Sequence, residues 1–209
     1  RSLGWNQHMN VSLIHAAIND GSLANYLREY HVHEGDVAFI PAGTVHAMRR
    51  DTIVAEIQEN SDISYRLYDY NRVGNDGKKR PLKLDKALQV MDFAPENEAS
   101  VVRTSPRIDG VVNLKQCPYF TTNLLCPKHP IQRDYAPLDS FVAFMCVEGA
   151  CDIQALDCET PENSTVAMRT GEAVLIPACL NDIVITPHGE GPSNCFLSSL
   201  WYLLLGRPA

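Results

Sequence analysis

The sequence predicts a mainly-β protein of two barrel-like domains, the first incomplete and carrying a small helical insertion near its start. From residue 35 onward, short apolar runs alternate with turn residues, as in antiparallel β-structure. The segment Gly35-Asp-Val-Ala-Phe-Ile-Pro41 recurs as Gly171-Glu-Ala-Val-Leu-Ile-Pro177, which indicates a duplicated unit. Strand-like runs precede the second copy but not the first. These observations predict one domain over residues 1–93 and another over 94–209.

The composition excludes several function classes. A formal net charge of -7 argues against non-specific nucleic-acid binding, which needs a basic surface. The 7 cysteines form no CxxC pair and are interpreted as reduced thiols of a cytoplasmic protein. The longest apolar run, from Phe196 to Leu205, is too short to cross a bilayer and is predicted to be a buried strand.

Helical periodicity is confined to short stretches. Residues 10–20 place Leu13, Ile14 and Ile18 on one face of a helix. Residues 23–30 repeat that spacing and predict a second helix, with Asp20 or Ser22 as its N-cap. Residues 85–93 predict a short third helix.

The repeated segment has a structural interpretation. Glycine makes a tight turn, the apolar residues run as a strand, and proline ends the ladder. This pattern is similar to the second motif of the cupin family, so two copies imply two cupin-like (jelly-roll) barrels. Only helices are predicted ahead of the first copy. A half-barrel would leave open sheet edges, so an upstream segment is expected to complete it.

The two copies differ at one position that can bind metal. His46 stands five residues after Pro41, and Asp182 holds the equivalent position after Pro177. An isolated histidine in an apolar strand is more often a core residue than a ligand, but the surrounding motif favours a metal ligand. His31 and His33 alternate just ahead of the motif and are interpreted as surface residues.

A longer stretch resembles one enzyme family. It begins at Pro41-Ala-Gly-Thr-Val-His46 and continues through Glu56 and Asn60-Ser-Asp62 to Arg66, then through Tyr68-Asp-Tyr-Asn-Arg72. These residues resemble the type I mannose-6-phosphate isomerases, in particular their short bacterial branch. The resemblance covers residues 10–93 closely and the second domain loosely.

The resemblance implies an activity and roles for four residues. The family is expected to interconvert mannose 6-phosphate and fructose 6-phosphate with one zinc ion in each complete catalytic barrel. His46 matches its last zinc ligand, Glu56 an active-site glutamate, and Arg66 an arginine assigned to catalysis. Arg72 falls where longer relatives carry a lysine near the sugar phosphate. The remaining ligands, from a Gln-x-His motif and a glutamate, are expected upstream, so this chain alone should bind zinc poorly and lack activity.

Residue chemistry agrees with these roles. Isomerisation moves a proton from C2 to C1 through an enediolate, a transfer that the Glu56 carboxylate can perform. Zinc can polarise the reacting oxygen, and the Arg66 guanidinium can stabilise the enediolate or the phosphate. His46, Glu56 and Arg66 are therefore predicted to meet in one barrel cavity.

Several alternatives stay open. Glu56 and Arg66 could instead form a structural ion pair, and Lys78-Lys79-Arg80 is interpreted as a solvated loop or a mobile lid. The chain could be a non-catalytic cupin that binds a sugar phosphate, or an iron-dependent cupin oxygenase. The identity of the base and the oligomeric state are left open.

Overall fold

The computed structural model describes residues 2–48, 53–61, 63–70, 72–96, 101–158, 160, 164–189 and 194–200. The chain divides into two compact units, one of residues 1–54 with 60–103 and one of residues 55–59 with 104–209. Among the described residues, strands outnumber α-helices in both units, which confirms the prediction of a mainly-β fold. No helix in the described residues is long and apolar enough to span a membrane.

The first unit mixes short strands with helices. The elements are β1 (Ser2–Trp5), α1 (Val11–Asp20), a 3-10 turn (Leu23–Tyr26), β2 (Leu27–Glu29), β3 (Asp36–Ala38), β4 (His46–Ala47), α2 (Leu84–Val90) and β5 (Val101–Arg103). Strand β1 lies between β2 and β4 in an antiparallel sheet, and β3 pairs with β5.

Both helices of this unit pack on the same core. Asn10 caps α1 by accepting a hydrogen bond from the Leu13 N–H at 2.9 Å. Trp5 of β1 is 1% exposed and lies in a cluster with Ile14 of α1 and Ala87 of α2. The predicted first and third helices are therefore confirmed, with their apolar faces buried.

The predicted second helix is wrong. After the 3-10 turn the chain continues as β2, in which Leu27 pairs with Trp5 and Glu29 with Ser2 of β1. Strand β1, which the sequence pattern does not predict, supplies this pairing. A short segment with helical spacing becomes a strand when a neighbouring strand can satisfy its backbone groups.

The backbone conformation of the two glycine turns confirms the repeat. Gly35 and Gly171 have left-handed φ angles of 83° and 87°, which glycine adopts without strain. Each turn is closed by a backbone hydrogen bond, from Asp36 to His33 at 3.2 Å and from Glu172 to Arg169 at 2.9 Å. The glycine therefore makes the same turn in both copies.

The turns after the two prolines also agree. Thr44 N–H donates to the Pro41 carbonyl at 3.1 Å, and Leu180 N–H donates to the Pro177 carbonyl at 3.0 Å. Strand β4 then begins at His46, and β13 begins at Asp182. His46 and Asp182 are thus structurally equivalent, as the repeat predicts.

The second unit consists of two antiparallel sheets around one core. Its strands are β6 (Val111–Gln116), β7 (Phe120–Leu125), β8 (Ile131–Asp134), β9 (Val142–Glu148), β10 (Ala150–Ala155), β11 (Thr165–Arg169), β12 (Ala173–Ile176), β13 (Asp182–Pro187) and β14 (Asn194–Leu200). The sheet orders are β11-β10-β13-β8 and β12-β9-β14-β7-β6. Phe144 and Ile183, both 0% exposed, come from opposite sheets and belong to one buried cluster. Two facing antiparallel sheets are the layers of a jelly roll, although the described strands leave both sheets open instead of closing a barrel.

Residues 52–57 and 64–68 alternate in the way that predicts a strand, but the predicted strands are absent from the described residues. Neither residues 53–57 nor residues 64–68 take part in a β-ladder. Alternation of apolar and polar residues produces a strand only where a partner ladder is available, and these segments have none. The cysteines that the structure describes are free thiols; Cys195 lies in β14, whose side chains are not described.

Candidate functional site

Burial alternates along the segment that carries Arg66, the predicted catalytic arginine. Leu67 is 8% exposed and packs in the core of the first unit. Asp69, two residues further on, is also 8% exposed, whereas Arg66 is exposed. The core contact of Leu67 therefore brings a carboxylate below the surface close to Arg66.

A tight turn follows that carboxylate. The Arg72 N–H donates to the Asp69 carbonyl at 3.0 Å, and Tyr70 within the turn has a left-handed φ of 51°. That conformation is unfavourable for a bulky side chain. The Arg72 guanidinium lies over the Tyr70 ring, 5.5 Å from its centroid, and the Tyr68 ring lies 5.1 Å from that of Tyr70. These contacts hold Arg72 beside Asp69.

A second reversal returns the chain to the same carboxylate. Val73 and Lys79 form an antiparallel bridge, and the Gly74 N–H donates to the Lys78 carbonyl at 2.8 Å. Gly77, at a φ of 72°, permits the turn between them. The loop therefore delivers Arg80 to Asp69.

Three guanidiniums surround Asp69, and we call this group the arginine cluster: Arg66, Arg72 and Arg80. Arg80 donates from Nε to Asp69 Oδ2 at 2.8 Å and from a terminal nitrogen to Oδ1 at 2.5 Å. The Nε atoms of Arg66 and Arg72 lie 4.0 Å and 3.9 Å from Asp69 Oδ1. Arg80 therefore makes a two-point ion pair, while the other two arginines flank it.

The electrostatics of the cluster favour full ionisation. The hydrogen bonds from Arg80 hold the pKa of Asp69 below its usual value, Coulombic attraction by the three arginines lowers it further, and desolvation opposes both. The same hydrogen bonds raise the pKa of Arg80. The carboxylate is therefore charged at neutral pH.

A pocket of about 230 Å³ opens beside the cluster. Its charged lining is Arg72, Lys79, Arg80 and the Asp69 carboxylate, and Ile18, Tyr68 and Leu82 complete it. Arg66 does not line this pocket. Binding pockets for whole small molecules are commonly about 300 Å³ or larger. This pocket is smaller than that, and its lining carries an excess of positive charge.

The structure places His46 on the first unit as the opening residue of β4, where it pairs with Leu3 of β1. Its side chain is exposed, and Nδ1 lies 3.0 Å from the Thr44 carbonyl oxygen. In the described residues, no hydrogen bond or ion pair joins it to the arginine cluster.

Glu56 is exposed and belongs to the segment 55–59, which groups with the second unit. Its predicted position beside His46 and Arg66 stays a prediction. Arg66 and Arg72, by contrast, meet at Asp69.

The described residues do not form a complete zinc site. They contain no group of three His, Cys, Asp or Glu side chains arranged to hold a metal ion. Protein zinc sites use at least three such ligands. His46 alone is therefore insufficient, and its role as a ligand stays a prediction.

The sequence interpretation missed Asp69 and Arg80. The Lys78-Lys79-Arg80 run was expected to be a solvated loop or lid, but Arg80 is anchored by its two hydrogen bonds to Asp69. One signal was available: Leu67 and Asp69 share a face in any alternating segment, so an apolar anchor at one predicts burial at the other.

The chain has sequence relatives among known proteins. No family model matches the chain. It is 43% identical over 74 residues to the probable mannose-6-phosphate isomerase GmuF of Bacillus subtilis, covering 35% of this chain and 24% of that protein. It is 37% identical over 105 residues to the mannose-6-phosphate isomerase ManA of the same organism, covering 50% of this chain and 33% of ManA. The chain therefore spans well under two thirds of these relatives.

A solved structure shows the fold. The mannose 6-phosphate isomerase from Bacillus subtilis superposes with a TM-score of 0.74 at 22% identity, covering 94% of this chain and 59% of that one. The sequence relatives confirm the resemblance to mannose-6-phosphate isomerases, and the solved structure confirms the fold. By sequence, the chain is a partial-length relative of the bacterial mannose-6-phosphate isomerases.

Proposed function

We propose that this chain is part of an isomerase that interconverts mannose 6-phosphate and fructose 6-phosphate. The observation that carries the proposal is the convergence of Arg66 and Arg72 on Asp69, beside a pocket of about 230 Å³ that Asp69 and Arg72 line. The family resemblance implies that both arginines lie close to a phosphorylated sugar. The names of the relatives support the same substrate class.

The chemistry assigned to these residues is proton transfer with charge stabilisation. The reaction removes a proton from C2 of the aldose, forms an enediolate, and returns a proton at C1. Glu56 carries the proton in this proposal, and Arg66 stabilises the negative charge that develops on the oxygens. Arg72 contacts the phosphate. Guanidinium groups suit both anions because they stay charged and present several N–H donors.

Zinc dependence and a cytoplasmic location belong to the proposal. His46 would supply one zinc ligand, with the others outside the residues described here. The described residues do not complete a metal site. Proton transfer, charge stabilisation and phosphate contact are therefore assigned to Glu56, Arg66 and Arg72.

The test is an activity assay on a chimera. The chain is joined to the regions of Bacillus subtilis ManA that it does not cover, and fructose 6-phosphate formation is measured with zinc present. We expect turnover in the chimera and a loss of about 10²- to 10³-fold in kcat for Arg66→Gln, since an electrostatic stabiliser of the transition state is removed. Arg107→Gln, the same change at an exposed site in the second unit, should leave kcat unchanged.

A non-catalytic sugar-phosphate-binding protein is the second candidate, because the arginine cluster could bind a phosphate without turnover. A folded chimera that binds mannose 6-phosphate but forms no product would favour it. An active chimera whose kcat is insensitive to Arg66→Gln would contradict the role given to that residue.

A further inference from the structure

Asp69 lies at the centre of the arginine cluster, although a carboxylate repels anions. The charged groups that line the pocket are Arg72, Lys79, Arg80 and the Asp69 carboxylate, which leaves two positive charges in excess and suits a phosphate dianion. By charge alone, an anion site would be stronger without Asp69. A carboxylate buried among these arginines therefore has a function other than adding to the local charge.

We propose that Asp69 is a positioning residue that fixes Arg72 and Arg80, which line the pocket, as a preformed binding site for a phosphate group. The inference rests on the proposed function in taking the phosphate of a phosphorylated sugar as the ligand. Asp69 also lines the pocket, but its carboxylate is not a ligand of the phosphate in this proposal. It acts through Arg80, which it orients, and through Arg72, which it holds beside Arg80.

The geometry of Arg80 supports this role. An arginine carries five N–H donors, and Asp69 receives hydrogen bonds from two nitrogens of Arg80. The two bonds fix the plane of the guanidinium, leaving its other donors available to the pocket that Arg80 lines. Because this side chain is already ordered, phosphate binding does not have to immobilise it.

Arg72 is restrained from two directions. Its backbone N–H is held by the Asp69 carbonyl, and its guanidinium lies over the Tyr70 ring within 4 Å of the Asp69 carboxylate. Tyr70 keeps its left-handed backbone within this arrangement. One residue, Asp69, thus restrains Arg72 through both main chain and side chain.

Positioning and Coulomb attraction alone predict opposite changes in phosphate affinity when Asp69 loses its charge. Isothermal titration with inorganic phosphate at neutral pH compares the chain with Asp69→Asn and with Glu34→Gln, which removes a negative charge at an exposed site of the same unit. Coulomb attraction alone predicts tighter phosphate binding for both variants. Positioning predicts that Asp69→Asn binds phosphate about tenfold more weakly, since the arginines must then be ordered on binding. Glu34→Gln should bind equally well or slightly better.

A second readout reports positioning in the free protein. The Arg80 Nε–H signal in a nitrogen-15 NMR spectrum should exchange slowly with water in the unaltered chain and rapidly in Asp69→Asn. Arg80→Lys retains the positive charge but loses the two-point fork, so it should also weaken phosphate binding. If thermal unfolding shows that Asp69→Asn does not fold, Asp69→Glu decides the question, because it keeps the charge but displaces the carboxylate: positioning predicts weaker phosphate binding, whereas charge alone predicts no change.

Phosphate binding by folded Asp69→Asn that equals or exceeds that of the unaltered chain overturns the proposal. So does an unaltered chain that binds no phosphate, or an Arg80→Lys variant with unchanged affinity. These measurements do not depend on turnover. An inactive chimera together with the predicted order of phosphate affinities would therefore reject the isomerase and support the positioning role.

Discussion

Asp36 and Glu172, which occupy equivalent positions in the two copies of the repeat, make the same hydrogen bond. Asp36 Oδ2 accepts from the His33 N–H at 2.8 Å, and Glu172 Oε2 accepts from the Arg169 N–H at 2.8 Å. Each acidic side chain reaches back across its glycine turn to the residue that begins it. The acidic residue of the repeat is therefore explained by turn closure.

Removing that acceptor should loosen the turn. Glu172→Ala leaves the Arg169 N–H without its partner and should reduce stability by about 1 kcal/mol. Glu172→Gln retains an oxygen acceptor and should lose less. Amide hydrogen exchange at Arg169 is the measurement, and equal exchange rates in the two variants would contradict the explanation.

Asp36 should tolerate substitution less well than Glu172. Its carboxylate also accepts from Arg103 Nε at 3.1 Å, and a terminal nitrogen of Arg103 lies 2.7 Å from His33 Nδ1. Asp36→Ala removes a contact that links β3 to β5 as well as the turn bond. We expect a larger drop in the thermal midpoint for Asp36→Ala than for Glu172→Ala. A drop of similar or smaller size would indicate that the Arg103 contact contributes nothing.

The turn that precedes His46 should be sensitive at Gly43. This glycine has a φ of 88°, and an added Cβ would lie 2.7 Å from the Val90 carbonyl oxygen. Gly43→Ala should therefore incur backbone strain of about 1–2 kcal/mol and also displace the end of α2. Gly171→Ala is the matched control, because its φ is 87° but a Cβ there would meet nothing within 4 Å. If urea unfolding shows that both variants lose the same free energy of unfolding, the steric contribution at Gly43 is excluded.

Acid should weaken the second unit through Asp109. A hydrogen bond from His129 at 2.7 Å, with backbone bonds from Lys128 and His129, lowers the pKa of Asp109 from 3.8 to about 2. A lowered pKa means that the ionised carboxylate stabilises the folded state above pH 3.8 and that this stabilisation is lost as the pH falls toward about 2.

Asp109→Asn provides the comparison. Asn tolerates the left-handed φ of 54° at this position but carries no charge. Urea unfolding at several pH values should show a stability difference from the unaltered chain that is largest near neutral pH and shrinks between about pH 4 and pH 2. Asp139→Asn, at an exposed site, should show no such trend. A difference that is constant with pH would exclude the ionic contribution.

Zinc binding should depend on residues beyond this chain. After dialysis, we expect the chain alone to retain little zinc and the ManA chimera to retain one ion per molecule, measured by atomic absorption. His46→Ala in the chimera should weaken zinc binding by more than the roughly 10- to 100-fold found for loss of an outer-shell partner. His15→Ala, on the exposed face of α1, is the control. Tight stoichiometric zinc on the chain alone would contradict this expectation.

Features set by near neighbours in the chain could be predicted. The glycine turns at Gly35 and Gly171 and the position of His46 on a strand follow from local sequence. The equivalence of His46 and Asp182 follows too, because the two copies keep the same spacing from proline to strand. Local backbone preference is sufficient to determine each of these.

Only the tertiary structure decided the rest. Residues 27–29 became a strand because β1 lies beside them, although their own spacing favours a helix. Arg80 joined Asp69 because two chain reversals and the burial of Leu67 bring the groups together. The sequence shows that an arginine is charged but not whether it is solvated or held in an ion pair. That difference depends on which carboxylate the folded core places within hydrogen-bonding distance.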